Sequence, residues 1–77
     1  MKKISLTKMK ANHKGKVLEI HGGIGLKNRL MSMGIYPGKE IVKISSFALR
    51  GPVTIMVNRR VFALGYGMAN KIIVEIE

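Results

Sequence analysis

A chain of 77 residues with a formal net charge of +10 and no cysteine is long enough for one small domain. The absence of cysteine excludes disulfide bonds and thiolate metal sites. Only four residues are acidic, so the carboxylate pairs and acid–histidine pairs that serve hydrolytic enzymes are scarce. The composition therefore predicts a single domain over residues 1–77 that is not an enzyme and needs no cofactor.

The positive charge is concentrated at the N-terminus, where six lysines and no acidic residue fall within the first 16 residues. This distribution favours an anionic partner, and the alternative is a solvated terminus that only maintains solubility. The segment lacks the apolar stretch of a signal peptide. A run of about 18 apolar residues, long enough to cross a membrane, occurs nowhere in the chain. The sequence thus predicts a soluble, cytoplasmic protein.

Short β-type segments separated by glycine, proline and asparagine turns dominate the chain. We predict strands within Gly15–Gly23, Lys39–Phe47, Pro52–Asn58, Arg60–Leu64 and Lys71–Glu77. In the third segment Val53, Ile55 and Val57 fall on one face of the strand, and the residues between them fall on the other. Asn58 and Arg59 form a candidate tight turn. Five short strands with such turns predict a mainly β fold, a small closed or nearly closed barrel.

One short helix is expected to interrupt the strands, inserted between the first two. Leu26, Leu30 and Met33 have the spacing of one helix face. If Gly34 follows the helix with a positive φ, Leu30 and Ile35 become the apolar pair of a Schellman stop. A helix of about two turns is not stable alone in water. We therefore expect its leucine face to pack on the barrel.

Candidate metal ligands are few. Met31 and Met33 lie two positions apart and would point to different sides of a helix, so they cannot hold one ion together; Met33 is expected in the core. His13 and His21 flank a predicted strand, with only Glu19 nearby, and are weak candidates. No metal site is predicted.

A nucleic-acid-binding module is the main alternative, because a strongly basic five-stranded barrel suits an RNA or ribosome partner of the KOW type. Few aromatic residues are available to stack on bases, namely Tyr36, Phe47, Phe62 and Tyr66, and both phenylalanines are expected in the core. Charge without stacking gives salt-sensitive, non-specific binding. We predict no specific nucleic-acid partner.

Several segments match a known family. The pattern R-L-x-S-M-G-I-x-P-G spans Arg29–Gly38, and LRGPVTI, RRVFAL and MANKIIVE follow at Leu49–Ile55, Arg59–Leu64 and Met68–Glu75. On these segments the chain resembles the ferrous iron transport protein A (FeoA) family, from Leu6 to Ile76. Members usually carry helix-compatible residues before the last segment. The Gly65–Tyr66–Gly67 run here does not favour a second helix.

The resemblance implies an SH3-like barrel, which agrees with the five predicted strands. It also implies an accessory or regulatory protein of bacterial ferrous iron uptake that acts at the inner face of the cell membrane. The implied partner is the membrane GTPase that transports Fe(II). Transition metal ion binding is associated with the family, although this sequence supplies no evident ligand set. A weak homo-oligomer is a further expectation for so small a chain.

Two candidate surfaces follow for such a protein. The predicted partner-binding residues are exposed apolar positions around the helix end and the Gly-Pro turn, Met31, Ile35, Tyr36, Pro37, Leu49 and Pro52; the alternative is that they only pack the loops. The residues predicted to contact an anionic membrane surface are Lys2, Lys3, Lys8 and Lys10.

Overall fold

The structure, a computed structural model, describes residues 2–46 and 51–77. Its strands are β1 (Lys2–Ser5), β2 (Lys14–Ile20), β3 (Glu40–Ser46), β4 (Val53–Val57), β5 (Arg60–Leu64) and β6 (Ile72–Ile76). The helices are α1 (Ile24–Ser32), α2 (Tyr66–Ala69) and a 3-10 helix at Leu6–Lys8. All strand pairs are antiparallel, in the order β1-β6-β2-β3-β4-β5. The mainly β, SH3-like prediction is confirmed.

The hydrophobic core draws on every strand except β1, and on both α-helices and the 3-10 helix. Its buried side chains are Leu6, Met9, Val17, Ile20, Leu30, Ile35, Ile41, Val53, Ile55, Val57, Leu64, Ala69, Ile72 and Val74. The predicted alternation in β4 is confirmed, since its three β-branched core residues are buried while Met56 is exposed. Because strand side chains alternate between faces, one face of the sheet becomes the core.

The described part of the chain has six strands rather than the predicted five. The additional strand is β1, whose sequence KKIS shows no alternation of apolar and polar residues. It is held instead by pairing with β6, from Lys2 opposite Ile76 to Ser5 opposite Ile73. As a result α1 lies between the second and third strands. Phe47, which was predicted to end a strand and enter the core, lies outside the described residues.

The end of α1 has the geometry predicted from its sequence. Ile35 donates its backbone N–H to the Leu30 carbonyl and Gly34 donates to the Met31 carbonyl, each at 2.9 Å, and Gly34 has a φ of +86°. These are the two hydrogen bonds of a Schellman motif. Leu30 and Ile35 are both fully buried, so the apolar pair across the stop anchors the helix to the core.

A second short helix forms where the glycine-containing run did not favour one. In α2 Ala69 donates its N–H to the Gly65 carbonyl at 2.9 Å, and Asn70 donates to the Tyr66 carbonyl at 2.8 Å. Ala69 is fully buried and Met68 packs against the core. The expectation from propensity is therefore wrong, because burial of this single turn outweighs the cost of its glycine.

A lysine is buried in β3. The Lys43 side chain is 1% exposed, and its Nζ donates to the carbonyls of Leu6, Thr7 and Met9 at 3.1, 3.0 and 2.6 Å. These carbonyls belong to the 3-10 helix and the residue after it, where a helix end leaves oxygen atoms unpaired. Burial lowers the pKa of Lys43. The side chain ties the N-terminal segment to the sheet.

Candidate interaction surface

Of the predicted partner-binding residues that the structure describes, some are exposed and one is buried. Met31 and Tyr36 are 57% and 40% exposed, and Pro37 is also exposed. Ile35 has no exposed surface, so its prediction as a partner-binding residue is corrected. It is the second apolar residue of the helix stop and lies in the core. Pro52 is exposed, whereas Leu49 lies outside the described residues.

The exposure of Tyr36 and Pro37 follows from a turn after α1. Lys39 donates its N–H to the Tyr36 carbonyl at 3.0 Å, and Gly38 has a φ of +96°. Proline followed by a residue with positive φ is the signature of a type II turn. The turn leads directly into β3, so Tyr36 and Pro37 are held outside the barrel by a backbone hydrogen bond.

A shallow groove of about 400 Å³ joins the end of α1 to the β4–β5 turn. It is lined by Met31, Ser32, Met33, Gly34, Asn58 and Arg60. A Cβ on Gly34 would lie 2.9 Å from Asn58 Nδ2, which shows how closely the two segments approach. The sequence predicted both turns, but no local pattern indicates that residues more than 20 positions apart meet there. Asn58 and Arg60 are therefore additions to the predicted surface.

The four N-terminal lysines, Lys2, Lys3, Lys8 and Lys10, are all exposed. The segment that carries them is anchored by Lys43 and by a second set of hydrogen bonds. Ser5 Oγ donates to the Asn70 carbonyl at 3.2 Å, and Thr7 Oγ1 donates to Asn70 Oδ1 at 3.2 Å. The lysines thus project from a segment fixed at several points rather than from an unattached tail.

A second groove, of about 670 Å³, contains most of the acidic residues. Its lining residues are His13, Lys14, Gly15, Lys16, Glu40, Glu75, Ile76 and Glu77. Lys16 lies opposite both Glu40 and Glu75 in the strand registers. The carboxylates are therefore interleaved with lysine, which favours mutual neutralisation over cation binding.

The two histidines that are weak candidates for metal binding have different surroundings. His21 Nε2 is 3.3 Å from Glu19 Oε1 on the surface, while His13 lines the larger groove. Across residues 2–46 and 51–77, no three histidine, aspartate or glutamate side chains come together in a way that could hold a metal ion. The absence of a metal site stays a prediction.

The sheet order, the single inserted helix and the short α2 turn define a small SH3-like β protein. The FeoA domain model matches residues 4–76, nearly the whole sequence. The chain therefore belongs to the FeoA domain family. No functionally curated protein sequence matches it. Neither α-helix in the described ranges has the length and apolar character needed to cross a membrane.

Solved structures agree with this assignment. The crystal structure of an iron uptake regulatory protein (FeoA) shares 35% identity over 97% of both chains, with a TM-score of 0.87. A FeoA-like protein from Clostridium acetobutylicum shares 26% identity over 99% of this chain and 88% of its own, with a TM-score of 0.83. A manganese-dependent transcriptional repressor, at 17% identity and a TM-score of 0.87 over 42% of its length, shares the fold alone.

Proposed function

We propose that the protein is a small accessory or regulatory protein of ferrous iron uptake. Its partner is the cytoplasmic part of the membrane GTPase that transports Fe(II). The observation that carries the proposal is the 35% identity, over 97% of both chains, to a protein named as an iron uptake regulator. The exposed apolar side chains of Met31 and Tyr36 and the exposed N-terminal lysines support action through contact with a partner.

The contact surface in this proposal is the groove between the end of α1 and the β4–β5 turn, together with Tyr36 and Pro37. Met31 is the central residue, because 57% of its side chain is exposed at the groove. Methionine adapts its shape to a partner, and exposed apolar side chains beside an arginine are typical of interface centres. Pro52 and Leu49 are proposed as further contacts.

The test is a pull-down of the tagged protein from detergent-solubilised membranes and nuclease-treated cytosol, at low and high salt. Recovery of a polytopic membrane GTPase at both salt concentrations supports the proposal. Recovery of ribosomal or nucleic-acid material that salt or nuclease removes would instead favour the basic-module alternative. Recovery of neither would contradict both functions.

The Met31→Asp variant locates the surface. It should abolish transporter binding and leave the thermal midpoint nearly unchanged, because the side chain is exposed. Arg29→Gln is the matched control. It lowers the net charge by the same one unit from an exposed position two residues away, on another side of α1. Equal loss of binding in both variants would reduce the effect to charge alone.

The exposed N-terminal lysines are proposed to hold the protein near an anionic membrane leaflet. Each lysine close to such a surface contributes about 1 kcal/mol. Replacing Lys2, Lys3, Lys8 and Lys10 by glutamine should release the protein from vesicles containing phosphatidylserine at physiological salt. A control set of exposed lysines, Lys14, Lys16, Lys27 and Lys71, removes the same charge elsewhere. Equal release by both sets would mean that only net charge matters.

A further inference from the structure

Strand β5 ends the sheet and leaves one edge open. Within residues 2–46 and 51–77, its backbone pairs only with β4. The two-residue turn at Asn58–Arg59 makes Val57 and Arg60 the first hydrogen-bonded pair, and such pairs then alternate along the hairpin. The N–H and C=O groups of Val61 and Ala63 therefore point away from β4, toward the open edge.

A row of apolar side chains on the outer face of the sheet leads to this edge. Val42 lies opposite Met56, and Met56 lies opposite Val61. Their exposure increases along the row: Val42 is half-buried, Met56 is 38% exposed and Val61 is 60% exposed. Cross-strand neighbours of this kind stabilise one another. The row lacks its next member beyond Val61, where another strand would place a side chain.

The chain segment that contains β5 carries charge of one sign. Between Glu40 and Glu75 the sequence contains no acidic residue, while Arg59 and Arg60 are exposed at the start of the strand. Arg59 has a φ of +66°, a left-handed conformation in a turn that strongly favours glycine. An arginine kept in a conformation that glycine would adopt more easily indicates a use for its charge.

We propose that the open edge of β5 binds an extended segment of a partner protein as an additional strand, in which apolar residues alternate with acidic ones. An apolar side chain of that segment would pack beside Val61, and its carboxylates would face Arg59 and Arg60. Only the identity of the protein that supplies this segment rests on the proposed function. The edge adjoins the proposed transporter surface, because Arg60 also lines the α1 groove.

A second copy of this chain fits the edge poorly. Pairing two β5 strands would bring together two chains that each carry a net charge of +10, and like charges across an interface oppose association. An acidic segment would instead be attracted to Arg59 and Arg60. Added strands of this type gain affinity from main-chain hydrogen bonds and specificity from alternate side chains, and both features are present here.

The first experiment uses a blocked synthetic peptide in which valine alternates with glutamate, and a matched peptide with lysine in place of glutamate. Backbone amide hydrogen exchange is followed by NMR in the full-length protein. Without peptide, the amides of Val61 and Ala63 should exchange quickly and that of Phe62 slowly, because only the latter lies in the β4–β5 ladder. The acidic peptide should protect Val61 and Ala63, and the lysine peptide should not.

Ala63→Pro removes the outward N–H without removing a hydrogen bond of the hairpin, and proline is tolerated where a strand's N–H faces solvent. It should weaken binding of the acidic peptide by about tenfold, the loss expected for one hydrogen bond. Ala63→Val keeps the amide and should bind within about twofold of the parent. If Ala63→Pro fails to fold, Val61→Asp and Val61→Lys should shift affinity in opposite directions, with Val61→Asp the weaker.

The outcomes separate this inference from the proposed function. Protection by the acidic peptide without capture of the membrane GTPase would leave the edge site standing and remove the proposed partner. Capture of the GTPase equally by Ala63→Pro and the parent would show that the GTPase does not supply the added strand, while the proposed function stands. Failure of both peptides to protect Val61 and Ala63 would also overturn it. Protection that rises with protein concentration alone would replace it with self-pairing.

Discussion

The end of α1 and the N-terminal segment are attached to the same sheet in different ways. The helix end is held by apolar burial, with Leu30 and Ile35 fully buried across a Schellman stop. The N-terminal segment buries Leu6 and Met9 as well, but it is held in addition by a charged group, the Lys43 ammonium, which donates to three backbone carbonyls. Each attachment positions one proposed contact surface. The first sets Met31 and Tyr36 in place, and the second fixes the segment that carries the N-terminal lysines.

The two attachments differ in the substitutions that they tolerate. An apolar anchor tolerates other apolar side chains of similar volume. A buried ammonium tolerates almost none, because any replacement leaves carbonyl oxygens without a donor. The comparison predicts that damage to one attachment affects one surface more than the other. Variants at each anchor can test this separation.

Leu30→Ala should have the largest effect on stability. Leu30 is fully buried, and truncation of such a leucine costs about 3 kcal/mol through lost burial and the resulting cavity. Urea unfolding should show this loss, while Leu26→Ala, at a half-buried position of the same helix face, should cost less. At temperatures where the variant remains folded, transporter binding should fall and vesicle binding should persist. Equal loss of both would argue against separate attachments.

Lys43→Met should come next, at about 2 kcal/mol. The methionine fills most of the volume but removes the side-chain donor to the carbonyls of Thr7 and Met9, whereas the Leu6 carbonyl keeps the Met9 N–H. The cost is partly offset because a charge is no longer buried. Hydrogen exchange should quicken first in the N-terminal segment, with transporter binding retained. Lys14→Met, at an exposed position, should change stability by less than about 0.5 kcal/mol. An unchanged N-terminal segment would refute the role given to Lys43.

The same comparison explains what the sequence could and could not reveal. The helix stop was predictable because its signals, Leu30, Gly34 and Ile35, lie within six consecutive residues. The Lys43 attachment was not, because it joins residues 34 to 37 positions apart and lysine ordinarily signals a solvated position. For the same reason β1 was missed: its pairing with β6 joins the two ends of the chain.

The candidate surface also has features that local sequence predicts and features that depend on the tertiary fold. Exposure of Met31 and partial burial of Met33 against the core agree with the helix spacing. The approach of Asn58 and Arg60 to the end of α1 depends on how β4 and β5 fold back, which no local pattern encodes. Ile35 lies next to the exposed Tyr36 and Pro37 in the sequence, but it also closes the helix stop by donating its N–H to the Leu30 carbonyl. Burial of the apolar pair decides its position.

Gly34→Ala should have a smaller effect, about 1–2 kcal/mol, because it strains the stop without emptying the core. Its φ of +86° disfavours any side chain, and the new Cβ would lie 2.9 Å from Asn58 Nδ2. Thermal unfolding measures the loss. Gly25→Ala is the control of opposite sign: the site lies in the first turn of α1, and apart from its chain neighbours and the backbone of its own helix no atom lies within 4 Å of the new Cβ. Alanine should therefore stabilise the helix by about 0.5–1 kcal/mol.

The smallest effect concerns the pH dependence of the polar attachment. Burial lowers the pKa of Lys43 below 10.5, its usual value. Between the lowered pKa and 10.5, the unfolded chain binds more protons at this residue than the folded protein does. The Lys43 contribution to the unfolding free energy therefore rises with pH over that interval. Urea unfolding of the parent and of Lys43→Met, compared as the pH is raised toward 10.5, should show the parent gaining stability relative to the variant. The lysines common to both proteins cancel in this difference, so a difference that stays constant or falls would contradict the burial of the ammonium group.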